Sequence, residues 1–96
     1  MQRFGVERRL REVHERLLRA REELAVLDEQ LAVVSEEAED ARLRSLVSET
    51  PLAEHEYTDV RRHADAMTRA RAAMAATVEG LQRRRDELLM HVGDDR

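Results

Sequence analysis

Ninety-six residues, 40% of them charged and only 2% aromatic, with no cysteine, exclude a disulfide framework, thiol chemistry and a cysteine metal site. Such a composition suits long helices and coiled coils, and a single chain this short struggles to bury enough apolar surface by itself, so association with further helices is expected. No apolar run approaches the roughly 20 residues of a membrane span, and Met1-Gln2-Arg3-Phe4-Gly5-Val6-Glu7 has no signal-peptide hydrophobic region, so a cytoplasmic protein without a membrane partner is expected.

The net charge of −4 hides an uneven distribution. Residues 1–21 hold seven Arg against three Glu, whereas residues 22–40 hold eight acids and no base. All 17 basic residues are Arg, a skew that suits a high-GC bacterial genome.

The first predicted element is a helix over residues 4–47, roughly 60–65 Å long at about 1.5 Å per residue. Val6, Leu10, Val13, Leu17, Ala20, Leu24, Leu27, Leu31, Val34, Ala38 and Ala41 recur in alternating steps of three and four, which is a coiled-coil seam. Opposite charges four apart, at Glu7–Arg11, Arg8–Glu12, Glu12–Arg16, Glu15–Arg19 and Arg19–Glu23, each support the helix by about 0.2–0.5 kcal/mol. Beside the seam, Leu18, Ala25 and Ala32 widen the apolar face, with Val26 and Val33 further round. A helix meeting one partner has no use for that width, and a helix in a bundle does.

Residues 48–50 read as a turn. Thr50 is a good N-cap, Pro51 suits the first helical position, and Glu54 sits near the positive end of the helix dipole. So short a connection makes the hairpin antiparallel. A second helix is predicted over 51–92, on the seam Ala53, Tyr57, Val60, Ala64, Met67, Arg71, Met74, Val78, Leu81, Arg85, Leu88 and Val92. The turn sets Leu10 opposite Leu88, Leu17 opposite Leu81, Leu24 opposite Met74, Val34 opposite Ala64 and Ala41 opposite Tyr57. Gly80 weakens this helix by about 1 kcal/mol against Ala, and Gly93 is expected to stop it ahead of a frayed tail at 93–96.

His63, Ala66, Ala70, Ala73 and Thr77 form a small-residue stripe beside the second seam. Together with Leu18, Ala25 and Ala32 it is the expected homodimer interface, two hairpins making a four-helix bundle. The expected fold class is therefore all-α: one two-helix antiparallel coiled-coil hairpin that dimerises.

Chemistry is sparse. There is no Gly-rich phosphate loop and no nucleophile with a base at workable spacing, so no catalytic residue, no cofactor and no enzyme activity are expected. His55, Asp59 and His63 share a helix face with Glu56 adjacent, but they span too much helix to reach one ion, and a solvated Asp–His pair is expected instead of a metal site. Arg71 and Arg85 occupy seam positions. Each is expected to pair across the seam, Arg71 with Glu23 or Asp28 and Arg85 with Glu12 or Glu15, fixing register; the alternative is a grip on a nucleotide or phosphate.

Two surfaces remain. At the open end Arg3, Arg8, Arg9, Arg11, Arg83, Arg84 and Arg85 make a basic patch, the alternative anion-binding site. Eight acids share residues 1–21 and 78–96 with eleven Arg, and no aromatic platform is present to stack bases, which argues against nucleic-acid recognition. At the turn Glu36, Glu37, Glu39, Asp40, Glu49, Glu54 and Glu56, with Asp59 and Tyr57, make an acidic tip suited to a partner protein. The string Ala53-Glu54-His55-Glu56-Tyr57 behind this acidic tip resembles the transcript-cleavage (Gre-type) factors of bacterial RNA polymerase, whose antiparallel hairpin probes the polymerase's secondary channel. The tip acids here depart from that family's spacing, so the resemblance implies a hairpin regulator of transcription machinery without a catalytic role. The expectation is a non-enzymatic interaction module acting through its tip. An anion binder using the Arg-rich end, and a purely structural coiled coil, are the alternatives.

Overall fold

In a computed structural model the chain forms a hairpin of two helices, α1 over Gln2–Ser48 and α2 over Pro51–Asp94, with no strand among the described residues. Backbone is described for residues 2–94 and side chains for residues 4–93. Both helices run slightly past their expected bounds. Gly93 lies inside α2 without a positive φ, so it does not act as a stop; of the expected tail only Asp94 joins it in the helix, and residues 95–96 lie outside the described residues. A left-handed glycine is needed only where the chain must turn away from its helix.

The hairpin divides into two compact units. In the unit formed by Met1–Leu24 and Ala73–Arg96, Val13, Leu17, Ala20, Val78, Leu81 and Leu88 make one buried cluster, against which Val6, Leu10, Leu24 and Met74 pack. Leu17 and Leu88 are its largest fully buried side chains, at 0% and 1% exposure. Every member of the cluster lies on the alternation of three and four, because only those positions return to the same side of a 3.6-residue helix.

In the unit formed by Ala25–Ala72, Val34 and Ala41 are buried, and Leu27, Leu31, Ala38, Tyr57, Val60, Ala64, Met67 and Arg71 are half-buried on the same alternation. Arg71 Nε donates to Asp28 Oδ1 at 2.7 Å, one of the two partners that the register expects. Half of each side chain remains in water, 42% of Arg71 and 50% of Asp28. The pair therefore fixes register at little desolvation cost and is worth at most about 1 kcal/mol.

Ion pairs also close at Glu39–Arg42, His55–Asp59, Arg84–Glu87 and Arg85–Asp86. The ladder expected at Arg8–Glu12, Glu12–Arg16, Glu15–Arg19 and Arg19–Glu23 does not. At a few tenths of a kcal/mol per pair, ordering two long exposed side chains costs as much as the contact returns. Arg85 also departs from expectation: its guanidinium turns to Asp86 at 3.2 Å along its own helix and not to Glu12 or Glu15 across the seam. It is only partly buried, 31% of its side chain remaining exposed, so it lays its stem on the seam and sends its charged head to the nearest carboxylate at the rim.

Candidate interaction surface

The turn is held by three backbone devices. Glu49 takes a φ of 51°, and its N–H donates to the Ser45 carbonyl at 3.1 Å, so the end of α1 closes with a left-handed residue that satisfies the Ser45 carbonyl. Thr50 caps α2 as the sequence predicts: its Oγ1 accepts the Ala53 N–H at 3.2 Å and its carbonyl accepts the Glu54 N–H at 3.1 Å. Pro51 then occupies the first helical position, where it has no N–H to lose. Ser45 Oγ donates to the Arg42 carbonyl at 2.8 Å inside the last turns of α1.

On this frame Glu36, Glu37, Glu39, Asp40, Glu49, Glu54 and Glu56 are all exposed, and Tyr57 is half-buried with the Arg61 guanidinium 5.6 Å from its ring centroid. Between residues 36 and 59 eight carboxylates face only Arg42 and Arg44, a local excess of negative charge larger than that of the whole chain. Glu39 contributes less to it than the others. Arg42 donates to it from both Nε, at 3.1 Å, and Nη2, at 2.7 Å, and this fork holds the Glu39 carboxyl below the ordinary carboxylate range while raising Arg42. His55 Nε2 lies 3.3 Å from Asp59 Oδ2, both largely in water. No group of three or more His, Asp or Glu able to hold a metal occurs among the described residues.

The tip also carries a feature that periodicity misses. Leu43, Leu46, Val47 and Leu52 are exposed to 48%, 60%, 84% and 68%. The first three are spaced i, i+3, i+4 and so share one face of α1, outside the seam on which Ala41 is buried and Ser45 half-buried. Their mutual spacing is the sequence signal that could have found them.

The residues expected at the homodimer interface are all exposed. In the Ala25–Ala72 unit these are Ala25, Ala32, His63, Ala66 and Ala70, and Val26 and Val33 beside them are 50% and 57% exposed. Here a groove is lined by Glu29, Gln30, Val33, Val34, His63 and Met67, which brings His63 together with Val33. In the other unit Leu18 and Ala73 are exposed.

Of the alternative anion-binding set, Arg8, Arg9, Arg11, Arg83 and Arg84 are exposed and Arg85 is half-buried; Arg3 lies outside the described side chains. Arg84 and Arg85 are occupied by Glu87 and Asp86 at 3.3 and 3.2 Å. Arg11 and Arg85 line one groove with Leu10, His14, Glu15 and Leu89, where a carboxylate already shares the space an anion would need. No helix is long and apolar enough to cross a membrane among the described residues. No known protein family, curated protein or solved structure matches the chain.

Proposed function

We propose that the chain is a non-enzymatic interaction module of the bacterial cytoplasm that engages a partner protein through its hairpin tip, as a regulator or adaptor of a larger assembly such as the transcription machinery. The observation that carries this reading is the concentration of exposed carboxylates on either side of a turn that is capped at both helix ends. A preformed charged surface steers association and selects against partners of like sign without first having to order itself. The test is capture from nuclease-treated lysate of the native host, comparing wild type with a variant carrying Glu36→Gln, Glu37→Gln, Glu39→Gln and Asp40→Asn. A defined protein recovered by wild type and lost by the variant is the expected result. Recovery of nuclease-sensitive material alone, equal for both, refutes the reading and moves attention to the Arg-rich end.

A second copy of the chain is the proposed cover for the small-residue face, giving a homodimeric four-helix bundle. The exposed groove joining Val33 to His63 and Met67 supports this, since aliphatic surface flanked by alanines lets another helix approach closely. Sedimentation equilibrium is expected to give twice the 11.2 kDa chain mass; a monomer at micromolar concentration refutes it.

A further inference from the structure

We infer that the tip is a mixed apolar and acidic docking knob for a cationic amphipathic helix of another protein, with Leu43, Leu46, Val47 and Leu52 meeting its aliphatic face and the flanking carboxylates meeting its Lys and Arg residues. The inference rests on the tip reading above and names the partner's chemistry. Single exposed aliphatic residues are ordinary. Four within residues 43–52, at 48–84% exposure, three on one face of α1 and Leu52 in the first turn of α2, are a local concentration of the kind that marks an interaction site. The exposed face of α1 changes character over a short distance, from Glu36, Glu37, Glu39 and Asp40 to Leu43, Leu46 and Val47. Helix capping does not require these side chains, because Thr50, Glu49 and Ser45 do that through the backbone and a hydroxyl.

Charge decides the occupant. Two tips brought together would each place eight carboxylates against two guanidiniums, and like charge across an interface is repulsive. The chain outside residues 36–59 carries fifteen Arg against thirteen acids, and at its Arg-rich end Arg84 and Arg85 are already paired with Glu87 and Asp86, so a second copy offers a tip fewer free cations than a dedicated cationic helix does. An anionic lipid surface is repelled by the same rim. What complements an aliphatic centre inside a negative rim is a helix with Leu or Val on one face and Lys or Arg beside it, an amphipathic helix reading the patch through anchors at i, i+3 and i+4.

The experiment uses the full chain and a synthetic amphipathic peptide of Leu and Lys at helical spacing, with two control peptides: Gln for Leu, and Glu for Lys. Titration calorimetry gives affinity and amide chemical shifts give location. Wild type is expected to bind the Leu/Lys peptide, with shifts confined to the tip, and to ignore both controls. The variant V47Q/L52Q, changed only at sites 84% and 68% exposed, is expected to keep its helicity and lose roughly tenfold or more in affinity, the loss typical of truncating an interface anchor. No binding by wild type, equal binding by V47Q/L52Q, or equal binding of the Gln/Lys control overturns the inference. The two readings fail separately: if V47Q/L52Q still captures the lysate partner that the Glu-to-Gln tip variant loses, the acidic tip stands and the apolar docking falls. A lower sedimentation mass for V47Q/L52Q gives the patch to a second copy. Its loss of binding to phosphatidylcholine vesicles gives the patch to a lipid surface. Either result overturns the inference.

Discussion

Replacing Leu17 and Leu18 by Ala, one at a time, separates the seam from the face beside it, because neighbours in sequence differ here between 0% and 45% exposure. Leu17→Ala deletes three buried carbons, about 2.4 kcal/mol of transfer free energy at about 0.8 kcal/mol each. The cavity left in the Val13–Leu88 cluster raises the cost to about 3 kcal/mol. For a domain of this size that lowers Tm by roughly 12–24 °C. Leu18→Ala loses about half of the transfer term, on the order of 1 kcal/mol, if water is all that Leu18 meets. If a second copy covers it, wild-type Tm rises with protein concentration and the variant loses that dependence. The assay is thermal unfolding followed by circular dichroism at micromolar and hundredfold higher concentration. A Leu17→Ala cost below about 1 kcal/mol would mean that Leu17 is not packed as described. A Leu18→Ala variant with the same concentration dependence as wild type would remove Leu18 from any dimer interface.

Gly80→Ala is expected to raise stability by about 1 kcal/mol, since the added Cβ meets only Arg83 Nη2 at 3.8 Å, an ordinary contact; a fall in Tm would refute this. Glu49→Gly is expected to stabilise by about 0.5–1 kcal/mol, the left-handed strain of a residue at φ 51° outweighing the greater freedom of Gly in the unfolded chain. Glu49→Val at the same site should lower Tm, and equal melting of the two variants would count against the strain. In Arg42→Gln, NMR titration should show Glu39 ionising at higher pH than in wild type, because the guanidinium fork that holds its carboxyl low is gone. A carboxyl held low in the folded state stabilises above its unfolded value and ceases to do so as pH falls through the folded one, so any pH dependence that Arg42→Gln removes lies on the acid side.

Residues in phase with the seam were legible because a helix returns each of them to one side: Val13, Leu17, Ala20, Val34, Ala41, Val78, Leu81 and Leu88 are the buried ones, and all sit on the alternation of three and four. The start of α2 was legible for a chemical reason, Thr50 offering an oxygen and Pro51 lacking a hydrogen. The end of α1 was legible to within one residue from the break at 48–50, but the device that closes it was not, since Glu rarely takes a left-handed backbone and nothing in Ser48-Glu49 marks it. Arg71 could be narrowed in advance to Glu23 or Asp28 because carboxylates lie within reach of it across the seam, and it is Asp28 that it meets. Arg85 could not be paired correctly, because Asp86 on its own helix competes at equal cost. Surface ion pairs were the least legible of all, each being worth less than the rotamer freedom it consumes.

Function is harder to read than fold in such a chain because a seam uses up the periodic signal, leaving binding to residues that periodicity does not rank. Leu43, Leu46, Val47 and Leu52 fall out of phase with the seam and so go unranked by it, yet they are exposed apolar side chains of the tip, whereas the carboxylates around them stand out in any charge count. In the proposed docking the two sets would act on different parts of an encounter. Long-range attraction to a negative rim raises the rate of association and weakens with salt, while desolvated aliphatic contacts govern how long a complex lasts. A tip with carboxylates alone would attract many cationic proteins and release them quickly. On the proposed reading, aliphatic side chains held beside them by a capped turn would select, from those visitors, the ones with an apolar face to match.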